Sequence, residues 1–291
     1  MKKESFLLKI WNILWPLFIY LIAQNLVSVI GIFILSFFGG GEELYYRYGV
    51  LFVLAAALIC IPIYWKIYRK DEETAGNRKK DIPVNNRDYL LVIFSGAALA
   101  LAMNNVIALT PLPVWFTGYE DTNQVIYGGG LLLQILSAGI FACIVEEVSM
   151  RGVVYGRMKR YFGKTAAMFL SALVFGIYHL NVVQGVYAFV LGLYFVWLYE
   201  RYQSLWASCI AHMSANLFIL FMAASPVCQH VLQTMVGFCL TTCISLLIFY
   251  YSWRMIQESD PKLDLEFIEK EPDTLEKLTE EYKAQESEDS F

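Results

Sequence analysis

Eight stretches of this chain are apolar, poor in charge and close to the length of a membrane-crossing helix, and that repetition restricts the fold more than any other feature. They cover about residues 7–38, 48–68, 89–109, 131–154, 165–180, 183–199, 205–223 and 231–253. A helix needs ~20 apolar residues to cross hydrocarbon, and in that solvent every backbone amide must be paired within the protein. The chain is 58% hydrophobic and 16% charged, with a mean hydropathy of +0.51, which excludes an ordinary soluble domain. The expectation is an all-α fold, a polytopic transmembrane helical bundle of about eight spans in the cell (plasma) membrane.

Charge placement orients the bundle. Lys66, Arg69, Lys70, Arg78, Lys79, Lys80 and Arg87 crowd the connection between the second and third stretches. By the positive-inside rule that loop is cytoplasmic, and so are the N-terminus and, after eight spans, the C-terminus. The loop from Leu109 to Gly130 carries no Lys or Arg and reads as an outer one, with Trp115, Tyr119 and Tyr127 suited to the interface. Arg157, Lys159, Arg160 and Lys164 mark a return to the cytoplasm after the fourth span. The first apolar stretch far exceeds the roughly 7–15 residues of a signal-peptide core and is expected to be a retained anchor, with Pro16 as a place for a kink.

Residues 254–291 hold five basic and thirteen acidic side chains; removing them from the totals of 22 and 26 leaves 17 basic against 13 acidic residues in 1–253. The chain therefore divides into a transmembrane domain, 1–253, and an acidic, solvated and flexible cytoplasmic tail, 254–291, that offers a surface to a cytoplasmic partner. No basic face or nucleic-acid motif is present, so no nucleic acid is expected as a partner. The six cysteines form no C-x-x-C pair and read as small core residues.

Inside the fourth stretch, FACIVEEVSMRGVVY, stand Glu146, Glu147 and Arg151. A charge at bilayer depth costs about 2.5–3.5 kcal/mol on insertion scales, so these three must face partners or a watery cavity. On a helix Glu147 and Arg151 share a face at i and i+4, while Glu146 is turned roughly 100° away. One carboxylate is then held by a cation and the other is left to exchange protons. Two of the three histidines, His179 and His212, also lie in apolar runs, and Asn216 follows His212 by four residues on one helical face. Together these groups offer a general base, its orienter and a polar cradle for an oxyanion, which is equipment for peptide hydrolysis. Taken singly, each has a blander explanation as the wet end of a span or a hydrogen-bonded core histidine.

The pattern E-E-x-x-x-R at Glu146, Glu147 and Arg151, then F-x-x-x-H at Phe175 and His179, then H-x-x-x-N at His212 and Asn216 resembles the three ordered motifs of the CAAX-prenyl-protease and bacteriocin-processing (CPBP, Abi) family of intramembrane endopeptidases. The resemblance centres on residues 141–216. It implies that Glu146, helped by His179, activates water, that His212 and Asn216 stabilise the oxyanion, and that Glu147 and Arg151 hold the site together. Its substrate would be a membrane-associated peptide or a membrane protein. It implies no cofactor, with zinc held by Glu146, His179 and His212 as the alternative, although no H-E-x-x-H supports zinc. Two other classes compete: a non-catalytic bacteriocin-immunity or scaffold protein, and a carrier or proton relay, against which no internal repeat is visible.

One expectation conflicts with itself. If the fifth stretch is a full span entering at Thr165, His179 falls near its outer end while Glu146 lies nearer the inner one. Either that helix starts deeper, or the chain breaks and re-enters around Gly176 and Gly185.

Overall fold

The computed structural model describes residues 5–39, 42–74, 85–116 and 118–259. Lys2 and Lys3, the loop cations Arg78, Lys79 and Lys80, and residues 260–291 of the acidic tail lie outside the described residues. The described residues contain helices and no strand. Seven helices are long and apolar enough to cross a membrane: α1 (Phe6–Phe37), α2 (Glu42–Thr74), α3 (Asn86–Ala108), and, after two short helices in the expected outer loop, α4 (Leu112–Trp115) and α5 (Gly118–Gly128), a composite α6 (Leu131–Phe162). The series continues with α7 (Lys164–Tyr178), α8 (Val182–Tyr202), α9 (Leu205–Ala224), the short α10 (Pro226–Gln233) and α11 (Met235–Glu258). Of these, α8, α9 and α11 complete the seven.

The eighth expected span is α7, only 15 residues long, and its brevity removes the conflict over depth. Gly163, at φ 79°, turns the chain sharply between α6 and α7, a conformation that favours glycine. Counting outward from that turn along two antiparallel helices, Glu146 and His179 are nearly equidistant from it. They therefore meet at one level without a break inside α7. Leu180, at φ 53°, starts the return into α8, and the α7–α8 hairpin closes tightly because Gly176 and Gly185 present bare backbone to each other. A Cβ on Gly176 would stand 2.6 Å from the carbonyl oxygen of Gly185.

Helix starts carry their own donors' partners, which sharpens the bundle. Asn85 accepts from the Asp88 amide at 2.7 Å, Asn181 from Gln184 at 3.2 Å and Thr234 from Gly237 at 3.1 Å. Pro16 has no amide to give to the carbonyl of Asn12, and the exposed acceptor is taken by Arg157 at 2.5 Å. One turn on, the Tyr64 hydroxyl donates to the Pro16 carbonyl at 2.6 Å and accepts from the Tyr20 amide at 3.3 Å. The backbone around Pro16 is thus paired from α2 and α6, as backbone in an apolar surround requires.

One end of the bundle is laced by polar side chains. Arg157 grips Asp71 at 2.6 Å, Lys159 and Lys164 reach Glu200 at 2.5 and 3.4 Å, Tyr202 donates to Asp88 at 2.6 Å, and Arg201 holds the Ile256 carbonyl at 3.1 Å. These contacts place the start of α1 and the end of α11 at the same end. Away from it the outward surface is apolar, with Phe33 at 73% and Leu180 at 80% exposure, as a lipid-facing surface should be. The fully buried Tyr64 is therefore a keystone of the α1–α2 contact. Tyr64→Phe leaves the Pro16 carbonyl unpaired, and thermal unfolding in detergent should show a loss of about 1–3 kcal/mol.

Candidate active site

The helix that carries the carboxylates is irregular. Within α6, π-helical stretches at Ile135–Phe141 and Val148–Tyr155 flank the α-helical segment Ala142–Glu147. An inserted π turn adds a residue and re-aims the side chains beyond it, a device common at functional sites. It also frees carbonyls. That of Ala138 is taken by the Asn216 amide of α9 at 2.9 Å, and the same amide lies 3.3 Å from Cys143 Sγ.

Glu147 is fully buried and its Oε1 is the focus of the site. It accepts from Arg151 at 2.8 Å, the i,i+4 pair, and from His212 Nδ1 at 2.8 Å, so one oxygen joins α6 to α9. Arg151 spends a second nitrogen on the Gly192 carbonyl of α8 at 3.2 Å. Its guanidinium lies 4.6 Å from the centre of the Phe175 ring and 5.4 Å from that of Phe195, a desolvated stacking arrangement. Phe195 also stacks on His212, with ring centres 4.8 Å apart. Two aromatic rings therefore shield the ion pair from water and fix the plane of the imidazole.

Glu146 points elsewhere. Its side chain keeps 17% exposure and lines a cavity of about 350 Å³ together with His179, His212 and Asn216. Its Oε2 lies 3.8 Å from His212 Nε2. His179, the residue that ends α7, hydrogen-bonds through Nδ1 to the Phe175 carbonyl at 2.8 Å. A carbonyl can only accept, so Nδ1 carries the proton and Nε2 is left as the basic atom. The same logic holds for His212, whose Nδ1–H meets a carboxylate held by Arg151. The six residues singled out in the sequence thus fall into two groups: Glu146, His179, His212 and Asn216 on the cavity wall, and Glu147 and Arg151 behind it.

Phe175, which the sequence marks only as the first residue of F-x-x-x-H, orients His179 through its carbonyl and covers Arg151 with its ring. Sequence reasoning passed over Gln24, Asn104, Asn123 and Gln184, neutral polar side chains on the cavity wall contributed by α1, α3, α5 and α8. No local motif marks them, since their neighbours are brought together only by the bundle. Among the described residues no three His, Cys, Asp or Glu side chains are grouped to hold a metal ion.

Residues 128–218 match the family model described as type II CAAX prenyl endopeptidase Rce1-like. The motif-bearing region is thus similar to the Rce1-like family. That region runs from the end of α5 through most of α9 and contains all six residues. The chain is also similar to YdiL of Bacillus subtilis (strain 168), named provisionally as a membrane peptidase, with 26% identity over 230 residues, covering 75% of this chain and 92% of YdiL. No solved structure matches the chain. The apolar helices and these similarities make the chain an integral, multi-pass membrane protein, and both comparisons support an intramembrane protease in general terms.

Arg151→Met removes one partner of a buried ion pair, and the stranded Glu147 should lower stability by about 3–5 kcal/mol. Adding Glu147→Gln should recover part of that loss, because no unpaired charge then remains. Thermal unfolding of the two variants in the same detergent distinguishes this from a simple packing defect, in which the second substitution would add to the first.

Proposed function

We propose that this chain is an intramembrane endopeptidase that hydrolyses a peptide bond with a water activated by Glu146 and His179. The observation that carries the reading is the convergence of Glu146, His179 and His212 on one cavity, with Nδ1 of each histidine occupied behind the wall. Water placed between Glu146 and His179 Nε2 loses a proton as its oxygen attacks the scissile carbonyl carbon. Glu146 takes that proton and returns it to the departing amine nitrogen as the C–N bond breaks. His212, held by Glu147, presents Nε2 to the cavity and in its protonated form donates to the oxyanion. Glu147 stabilises that imidazolium, which is the task of an orienting carboxylate behind a catalytic histidine.

Asn216 lines the same cavity, and its share in the oxyanion site requires its amide to exchange the Ala138 carbonyl for the substrate oxygen. The neutral amides of Gln24, Asn104, Asn123 and Gln184 suit an extended substrate. A helix must unwind to expose a peptide bond, and each freed N–H and C=O then needs a partner away from water. A membrane-associated peptide or a segment of a membrane protein meets that description. The family's name refers to prenylated substrates; nothing in the lining selects a prenyl group over another apolar anchor.

Purified protein should cleave members of a peptide library, and Glu146→Ala and His179→Ala should each lower the rate by at least about 100-fold, Glu146→Ala with thermal stability near that of wild type and His179→Ala with a loss of about 1–3 kcal/mol from the unpaired Phe175 carbonyl. Activity that survives a chelator fits the side-chain mechanism; activity lost on chelation and restored by zinc would replace it with a metal-dependent one. An inert wild type, with both variants still functional in the cell, would favour a non-catalytic immunity or scaffold protein.

A further inference from the structure

At the laced end of the bundle a second cavity, of about 390 Å³, opens between α1, α2 and α6. Its walls include Trp15, Lys70, Asp71, Arg157, Arg160 and Tyr161. Arg157 binds the Asp71 carboxylate through two nitrogens, at 2.6 and 3.2 Å. Arg160 reaches the same residue, 3.2 Å from its carbonyl and 3.7 Å from its carboxylate. Lys9 closes one side, 5.4 Å from the centre of the Tyr161 ring. Among the lining residues three cations, Lys70, Arg157 and Arg160, stand against one carboxylate, Asp71.

The cations are not equivalent. Arg157 is nearly buried, packs 5.2 Å from the Trp15 ring and has its whole fork spent on Asp71 and the Asn12 carbonyl, so it forms the fixed floor. Arg160, with 40% side-chain exposure, and the exposed Lys70 still present N–H groups to solvent, and Lys70 makes no ion pair among the described residues. On the same helices Leu7, Trp11 and Trp65 are exposed at 78%, 58% and 41%. A ligand here would have a surplus of positive charge above it and apolar, aromatic-edged helix surface beside it. Trp and Tyr with Lys and Arg at helix ends are the groups that meet lipid headgroups.

We propose that this pocket seats the phosphodiester of an anionic phospholipid, with Lys70 and Arg160 as its direct donors and its acyl chains lying along α1 and α2. A phosphodiester supplies the missing negative charge and fits the planar fork of arginine. A soluble phosphate would share the donors but leave the adjoining apolar surface unused. The site stands apart from the proposed peptidase chemistry, yet its floor, Arg157, lies on α6 six residues beyond Arg151. An occupied pocket steadies the end of the helix that carries the carboxylates.

The test is a titration of full-length protein in detergent with phosphatidylglycerol, phosphatidylcholine or inorganic phosphate, read by native mass spectrometry and by thermal unfolding. Phosphatidylglycerol should bind saturably and raise the unfolding temperature, while phosphatidylcholine and inorganic phosphate should not. Lys70→Gln combined with Arg160→Gln should weaken phosphatidylglycerol binding about thirtyfold, from about one charge's surface attraction per residue, with lipid-free unfolding unchanged. Lys70→Arg with Arg160→Lys should retain it. Equal effects of the two lipids, equal stabilisation by inorganic phosphate, or undiminished binding by the Gln variant would each overturn the proposal.

Discussion

A carboxylate with no access to water organises this protein. Glu147 would be costly in an apolar bundle were its charge not shared, and both donors that share it, Arg151 and His212, come with obligations of their own. Arg151 must also find an acceptor for its remaining nitrogens, which it does at Gly192 of α8. His212 must turn Nδ1 inward, which leaves Nε2 facing the cavity. Satisfying one buried charge thus fixes the relation of α6, α8 and α9 and the orientation of one imidazole.

The π-helical stretches of α6 make this possible. Glu146 and Glu147 are neighbours, yet one faces a cavity and the other a buried ion pair, and a regular helix alone gives them only about 100° of separation. The irregular turns on either side let the helix keep both faces in use. Their loose carbonyls are not wasted either: Ala138 is held by Asn216, so the third motif secures the irregularity that the first motif needs.

Much of this was legible in the chain. The helical fold followed from apolar stretches of near-constant length, and the Glu147–Arg151 pair from their spacing, because both depend on local periodicity. The depth of His179 was not legible. The apolar run of α7 continues through Leu180, and only the turn at Gly163 and the left-handed Leu180 show that the helix stops at the level of Glu146. Partners far apart in sequence were equally hidden: Asp71 and Arg157, Asp88 and Tyr202, Asn216 and Ala138 meet only after the bundle forms. The helix α5 lay in a segment whose polar and aromatic mixture gave no clear period, and so the wall it helps build around the cavity was missed.

The end of α7 shows how structure and chemistry use the same bonds. A helix that stops inside an apolar bundle leaves its last carbonyls without partners, and water cannot supply them. Here the His179 amide takes the Gly176 carbonyl at 3.3 Å and the Leu180 amide takes that of Ile177 at 3.0 Å. The Phe175 carbonyl goes to the His179 side chain. That last bond caps the helix and, because a carbonyl cannot donate, also leaves Nε2 of His179 free to accept a proton. A residue without a side-chain donor at 179 would leave a buried carbonyl unpaired as well as removing a base. The position of the histidine is therefore set twice, once by the fold and once by the reaction proposed for it.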